Sequence, residues 1–131
     1  MFHDVLVSLR AAAEFSPANI PLRLTLAQTL MNEKLFGEAE TEYRNIIEVA
    51  PYSNEAKCGL AKVAYIGGDH ALASRILKDV CKEAETKGDA HLLLCKLLLR
   101  DQEPEEAKFQ YQLAVSKDPS VREPGLDKLF G

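Results

Sequence analysis

The chain repeats a pattern of small, apolar and proline residues at an interval of about 34 residues. The stretches "FGEAETEYRNIIEVAP" and "EPEEAKFQYQLAVSKDP" share this pattern at a separation of twice that interval. The matching residues are Ala39, Tyr43, Ile46 and Pro51 in the first stretch and Ala107, Tyr111, Ala114 and Pro119 in the second. Midway between them the small and apolar positions recur as Ala73, Leu77 and Val80, without the proline. A fixed interval of this size indicates an array of stacked supersecondary units.

The residues ahead of each stretch follow the same interval. A leucine and a small residue recur as a pair, and a further apolar residue follows: Leu26-Ala27 with Leu30, Leu60-Ala61 with Ala64, and Leu94-Cys95 with Leu98. This arrangement resembles the tetratricopeptide repeat (TPR) family. The family's usual aromatic residue is replaced by Arg23, Lys57 and His91, and its usual glycine by Ala27, Ala61 and Cys95. The resemblance implies an all-α fold, a right-handed α-solenoid of antiparallel helix pairs with about three TPR units plus flanking helices.

The interval divides the chain into three units and two flanks. The units are 20–53, 54–87 and 88–121, with a half-repeat helix at 1–17 and a C-terminal capping helix or the start of a linker at 122–131. We expect all of them to form one structural domain. A helix from about Pro124 would present Leu126, Leu129 and Phe130 to cover the last pair. The apolar pattern runs on to Phe130, which favours the N-terminal part of a longer polypeptide, with a short capping helix as the alternative.

The recurring alanines have a physical reason that does not depend on the family. Ala39, Ala73 and Ala107 are predicted to lie where two helices cross closely, because a larger side chain would push the axes beyond the ~8–10 Å of ordinary helix packing. In the third unit, Phe109 and Tyr111 are predicted to pack beside this contact.

Helix starts and stops are also visible in the sequence. Pro51 and Pro119 should end helices, because proline lacks an N–H and disfavours helical geometry in the residue before it. Asp69 and Asp89 follow glycines and are predicted to cap the next helices. Pro104 suits the first helical position.

Composition excludes several classes of function. With 131 residues, a net charge of -4 and a pI near 5.4, a widespread phosphate-binding surface is not expected, so nucleic acid is a poor partner. No window has the ~18 consecutive apolar residues of a membrane span, and no secretory signal is evident, so we expect a cytoplasmic protein without a membrane partner.

The sequence also lacks the patterns of metal and catalytic sites. No metal site is predicted, because the three cysteines have no C-x-x-C spacing and the histidines are scattered. Phosphate-loop and nucleophile motifs are absent, so neither an enzyme nor a cofactor is predicted.

The TPR resemblance implies a groove lined by the first helix of each pair. Its predicted residues combine apolar patches with a line of cations: Leu24, Gln28, Met31, Asn32, Lys62, Tyr65, Ile66, Leu92, Lys96, Leu99 and Arg100. Such a surface suits a protein or peptide partner with apolar anchors and some acidic residues. Two questions stay open. Leu92 and Leu93 either line the groove or are buried, and the cations either bind a ligand or form a solvated face.

One subclass of the family does not fit. TPR cochaperones that grip a C-terminal carboxylate use lysine, arginine and asparagine at five groove positions. Here these are Leu24, Gln28, Gly59, Asp89 and Leu93. Without the charged donors, the charge-assisted hydrogen bonds of that clamp cannot form.

These observations predict a protein-interaction scaffold that binds a peptide or helix of a partner. One alternative is the N-terminal adaptor or regulatory domain of a larger enzyme, such as an ATPase. Another is a self-assembly module that forms a homo-oligomer through the apolar third unit or the ends.

Overall fold

The fold comes from a computed structural model and is described for residues 2–131, with side chains from Asp4 onward. These residues form eight α-helices and a short 3-10 helix at Pro119–Val121. The α-helices are α1 Phe2–Phe15, α2 Ile20–Asn32, α3 Phe36–Val49, α4 Asn54–Ile66, α5 His70–Val80, α6 Gly88–Arg100, α7 Pro104–Lys117 and α8 Pro124–Phe130. None of the helices in this part of the chain has the length and apolar character that crossing a bilayer requires.

The helices fall into two compact units. The first ends at Gly68 and contains α1 to α4, in which each helix packs on the next and α2 also touches α4. The second spans Asp69–Gly131, where α5 packs on α6, α6 on α7, and the 3-10 helix on both α6 and α7. The predicted middle repeat, 54–87, therefore contributes α4 to the first unit and α5 to the second.

Helix starts repeat at the interval seen in the sequence. The helices α2, α4 and α6 begin at Ile20, Asn54 and Gly88, and α3, α5 and α7 begin at Phe36, His70 and Pro104. Each step in these two series equals one repeat interval. The fold is therefore all-α, with helices that pack in sequential pairs.

Side-chain caps account for three of these starts. Asn19 before α2, Ser53 before α4 and Asp69 before α5 each accept a hydrogen bond from the backbone N–H three residues later, at 3.1, 3.3 and 3.1 Å. This satisfies one of the free amides that every helix start leaves. The predicted cap at Asp69 is confirmed. Gly68 lies in the turn just before Asp69. Its φ is +87°, a conformation that glycine adopts without strain.

The predicted cap at Asp89 is wrong. Helix α6 begins one residue earlier, at Gly88, so Asp89 lies inside its first turn and Lys87 stands at the cap position without a side-chain hydrogen bond. In the first turn, the Asp89 carboxylate still lies at the positive end of the helix dipole. Glycine at 88 has a packing reason, because a Cβ there would lie 2.6 Å from the carbonyl oxygen of Ala114.

Prolines end helices as predicted, and Pro104 opens one. Helix α3 ends two residues before Pro51, α7 ends two residues before Pro119, and α1 ends two residues before Pro17. Pro104 is the first residue of α7.

The three recurring alanines are fully buried, which the predicted close contacts require. Ala39, Ala73 and Ala107 have no exposed surface. Tyr111 is also buried, but Phe109 is 52% exposed, so its prediction as a packing residue is wrong. Phe109 stands two residues from Ala107, about 200° around the helix, and therefore faces away from it.

Helix α5 departs from the repeat. It has 11 residues, whereas α3 and α7 each have 14. The sequence has Glu85 where the other units have proline. A turn replaces the missing helical end, and Thr86 is buried within it and donates from Oγ1 to the carbonyl of Val80. Lys117 Nζ donates to the carbonyls of Ala84 (3.0 Å) and Thr86 (2.7 Å), so α7 of the same unit fixes this turn.

Two equivalent tyrosines contact the helix that follows their own. The Tyr43 ring lies against Gly59 of α4, where a Cβ would stand only 2.2 Å from Cζ. The Tyr111 hydroxyl donates to Oδ1 of Asp127 in α8 at 2.7 Å. Tyr111 and Asp127 each lie two repeat intervals after their counterparts in the first unit, Tyr43 and Gly59. Equivalent repeat positions of α4 and α8 thus both meet the tyrosine of the preceding helix, although α8 packs on α7 much less closely than α4 packs on α3.

The C-terminal helix covers this end only in part. It begins at Pro124 as predicted, and the Phe130 ring packs on the Tyr111 ring with 5.6 Å between centroids. Leu126 is half-buried, but Leu129 is 60% exposed, so its predicted role as a cover is wrong. Leu129 is exposed because the short helix α8 turns only its Tyr111-facing side toward the protein.

His91 is a buried titratable group in the second unit. Its Nδ1 lies 2.7 Å from Oε1 of Gln110, and its Nε2 has no hydrogen-bond partner among the described residues. In the first unit the same two repeat positions hold Arg23 and Glu42, whose charged atoms are 3.8 Å apart. Burial lowers the pKa of His91 below 6.5; the Gln110 hydrogen bond opposes this shift and the charge of Lys117 adds to it. The folded protein therefore favours the neutral ring.

We expect acid to destabilise the fold through His91. Because its pKa is lower in the folded than in the unfolded state, the unfolded state binds the proton first, and stability falls as the pH drops below about 6.5. The loss should level off below the folded-state pKa. Urea unfolding over a pH series measures it. His91→Gln, which stays neutral, should flatten this part of the profile relative to the wild type; an unchanged slope would assign the acid sensitivity to other groups.

Candidate peptide-binding surface

In the first unit, the predicted groove residues of α2 lie on one face of that helix. Leu24, Gln28, Met31 and Asn32 are spaced by four, three and one residues, which places them side by side. Leu24 and Met31 are half-buried, whereas Gln28 and Asn32 are exposed. Gln28 Nε2 donates to Oδ1 of Asn32 at 3.1 Å, so the polar edge of this face is internally hydrogen-bonded.

Helix α4 supplies the second part of this surface. The three predicted residues are Lys62 and Tyr65, which are half-buried, and Ile66, which is 52% exposed. An isoleucine with half its surface in water, next to an aromatic residue and a cation, can anchor an apolar side chain of a ligand. Helices α2 and α4 are in contact in the first unit.

Gly59 does not belong to this surface, although the TPR resemblance places it at a groove position. It is buried, and the space that its side chain would fill is taken by the Tyr43 ring. Burial, with the nearby Glu55 carboxylate adding to it, raises the pKa of Tyr43 to about 12, so the hydroxyl stays protonated. The glycine is thus a packing residue that admits the aromatic ring.

In the second unit, α6 carries the remaining predicted residues. Leu92, Lys96 and Leu99 are half-buried and Arg100 is exposed. Leu93 is half-buried as well, so neither leucine of the pair Leu92 and Leu93 is fully exposed or fully buried. The buried side of α6 is made by other residues: Ala90, His91, Leu94, Cys95, Leu97 and Leu98.

Lys96 has an ion-pair partner that the sequence did not reveal. Its Nζ donates to Oε1 of Glu123 at 3.0 Å, and both side chains are about two-fifths exposed. Glu123 precedes α8 and is distant from Lys96 in the sequence, so only the tertiary fold brings them together. A ligand carboxylate at Lys96 would have to compete with Glu123. Exposed pairs of this kind contribute about 0–1 kcal/mol, so an acidic ligand can displace the Glu123 carboxylate at small cost.

The described side chains include no cluster of three or more His, Cys, Asp or Glu residues that could hold a metal ion. Burial raises the pKa of Cys95 to about 11, which keeps the thiol protonated and unreactive at neutral pH. Two of the acids on α3 are engaged in exposed ion pairs, Glu38 with Arg10 at 2.8 Å and Glu40 with Arg44 at 3.0 Å.

The repeat interval, the paired helices and the close-contact alanines agree with a match to a known family. Residues 12–102, more than half of the chain, match the profile of the family described as "Tetratricopeptide repeat protein 21 second ARM domain". The chain belongs to this family. The TPR resemblance inferred from the sequence is confirmed. A search of curated proteins found no match to this chain.

Solved structures of other TPR-type proteins share the fold. A crystal structure of MamA aligns with a TM-score of 0.76 and 19% identity over 90% of this chain and 69% of that one. MamA 41-end from Desulfovibrio magneticus RS-1 gives 0.76 and 21% over 90% and 67%. YrrB, described as "a TPR protein with an unusual peptide-binding site", gives 0.75 and 18% over 85% and 57%. At these identities the likeness concerns the fold, and it confirms the predicted all-α class of packed helix pairs.

Proposed function

We propose that this TPR-family chain is a protein-interaction scaffold that binds a peptide or helix of a partner on the face of α2 and α4 in the first unit, and that α6 gives the second unit a similar face of its own. The observation that carries the proposal is the surface of α2 and α4, where Ile66 exposes half of its surface beside Tyr65 and Lys62. Exposed apolar side chains rimmed by polar ones are typical of interaction sites. The structure of YrrB, which is described as having a peptide-binding site, supports this use of the fold.

The charges suggest the chemistry of the partner. Lys62, Lys96 and Arg100 lie on the proposed faces, so a peptide with apolar anchors and a few carboxylates fits better than a basic one. Lys96 already binds a carboxylate, that of Glu123, and an acidic side chain of a ligand could take the same place.

A selected peptide can test the proposal. Peptides chosen from a random displayed library for binding to the wild type would be labelled, and their affinities measured by fluorescence anisotropy. Ile66→Asp should weaken binding about tenfold or more, because it places a charge where the ligand buries an apolar anchor.

Phe109→Asp is the matched control, since Phe109 is also 52% exposed but lies on α7. It should leave the affinity unchanged. Equal losses from both variants, or a loss from Phe109→Asp alone, would refute the proposed faces. Both variants should keep the circular-dichroism signal of the wild type, because both side chains already meet water.

A further inference from the structure

A cleft of about 470 Å³ lies between α1, α2 and α3 in the first unit. Helices α1 and α3 both pack on α2 but not closely on each other, so α2 forms the floor of the cleft and the other two helices form its walls. Leu26 and Leu30 of α2, both buried, supply an apolar floor. The lining of this α1–α3 cleft comes entirely from residues 10–42.

Helix α2 turns different faces toward the cleft and toward the proposed peptide-binding surface. Arg23, Leu26 and Leu30 line the cleft and are spaced by three and four residues, which places them on one side of the helix. Leu24 and Gln28 of the peptide-binding surface lie roughly 150° around the helix from that side. The cleft and the peptide-binding surface are therefore separate.

Two ion pairs line the cleft. Arg10 Nη2 of α1 lies 2.8 Å from Oε1 of Glu38 in α3. Arg23 Nη1 donates to the carbonyl of Pro17 at 3.2 Å, and its Nε lies 3.8 Å from Oε1 of Glu42. A separation of 3.8 Å is too long for a hydrogen bond, so the Glu42 carboxylate retains its capacity to accept one.

Glu14 adds a third carboxylate to the lining. It is exposed on α1 and has no ion-pair partner among the described residues. Since the two arginines each face one carboxylate, Glu14 leaves the lining with an excess of one negative charge. The last turn of α1 contains no basic residue, although a helix end of this kind has a negative dipole that cations stabilise. The helix end therefore adds to the negative potential of the cleft.

The second unit shows that the repeat does not require these acids. Lys82 stands two repeat intervals after Glu14, and Gln110 stands two intervals after Glu42. Gln110 forms a hydrogen bond with His91, so an uncharged pair can fill the positions that a charged pair has in the first unit. Because a charged pair withdrawn from water is often no more stabilising than a neutral one, the architecture alone does not explain the acids of the first unit.

We propose that the α1–α3 cleft binds an arginine side chain of a partner protein. The guanidinium group would donate to the carboxylates of Glu14 and Glu42, and its methylene stem would pack over Leu26 and Leu30. Charge complementarity selects a cation, and the five N–H donors of arginine allow it to serve more than one carboxylate. This site takes the opposite charge from the peptide-binding surface and does not depend on it.

A titration with Nα-acetyl-arginine amide, followed by two-dimensional ¹H–¹⁵N NMR, tests the site. This probe has one positive charge and no charged ends. It should shift the backbone signals of Ala13, Glu14 and Thr41 to saturation with a millimolar dissociation constant, as one exposed ion pair and a small apolar contact allow. Nα-acetyl-citrulline amide has the same shape without the charge and should bind about fivefold more weakly or less. The absence of saturable shifts, or equal binding of the two probes, would overturn the proposal.

A charge reversal at Glu14 gives the matched pair of variants. Glu14→Lys introduces the residue that the second unit has at this repeat position, and should weaken binding of the arginine probe about fivefold or more, because attraction becomes repulsion. Glu48→Lys changes the net charge equally. Glu48 lies one interval after Glu14, is exposed on α3 and does not line the cleft, so this variant should bind like the wild type. Equal affinities for the two variants would refute binding in the cleft.

Ile66→Asp separates this site from the peptide-binding surface. Ile66 lies on α4, outside the cleft, so this variant should bind the arginine probe with unchanged affinity. A loss of probe binding in Ile66→Asp would place the arginine on the peptide-binding surface and contradict the assignment to the cleft. Glu14→Lys should in turn leave the affinity for the library-selected peptides unchanged, so either proposal can fail while the other stands.

Discussion

Replacing Gly59 by leucine is expected to lower the free energy of unfolding by about 3 kcal/mol, the upper end of the usual cost of overpacking a core. A Cβ at this position would lie 2.2 to 2.7 Å from three atoms of the Tyr43 ring, so the ring or the helix must move. Tyr43 is 3% exposed and has little free space to enter. Urea-induced unfolding, followed by circular dichroism, measures the loss.

Gly37→Leu provides the matched control. Gly37 also lies in a helix, α3, but a Cβ there would meet no atom within 4 Å. Leucine has the better helix propensity, so this variant should gain up to about 1 kcal/mol. A Tyr43→Ala background adds a double-mutant cycle: without the ring, the cost of Gly59→Leu should largely disappear. If the cost persisted there, the clash with Tyr43 would not be its cause.

Replacing Ala107 by leucine is expected to cost about 3 kcal/mol as well, by forcing α6 and α7 apart. Ala107 has no exposed surface, and α6 and α7 pack closely in the second unit. Three additional carbon atoms cannot be accommodated between two helices at contact distance. Thermal or urea unfolding of the variant gives the change in stability.

Lys108→Leu serves as the neighbouring control. Lys108 is exposed and stands one residue further along the same helix, so the added leucine meets water and the stability should change by less than about 0.5 kcal/mol. Equal losses at 107 and 108 would mean that leucine is unfavourable in this helix for a reason other than the close contact.

The sequence predicted the periodic features of this fold because they depend on local chemistry. Proline ends a helix wherever it stands, and Asp69 can cap α5 through a hydrogen bond to a backbone amide three residues later. The burial of Ala39 and Ala107 follows from their recurrence at positions where helices must approach. For the same reason, the starts of six helices recur at the repeat interval that was visible in the sequence.

The departures arose where a residue's role depends on a distant partner. Gly59 looked like a groove position, but the Tyr43 ring fills its space. The sequence left Lys96 open between a ligand-binding cation and a solvated one, whereas in the structure it pairs with Glu123 from the segment that precedes α8. Helix α5 ends early, and the turn that follows it is held by hydrogen bonds from Thr86 and from Lys117 of α7. No pattern within one repeat contains these contacts.

The sequence by itself therefore determined the family, the all-α class and the periodic phase of the helices, because each depends on side chains acting within a few residues of their own position. Only the tertiary structure decided which faces remain in water, since exposure depends on what the rest of the chain brings alongside. Ile66 is half exposed while Gly59, on the same helix, is buried beneath an aromatic ring. Phe109, which the sequence predicted to pack, is half exposed on α7, two residues from the fully buried Ala107.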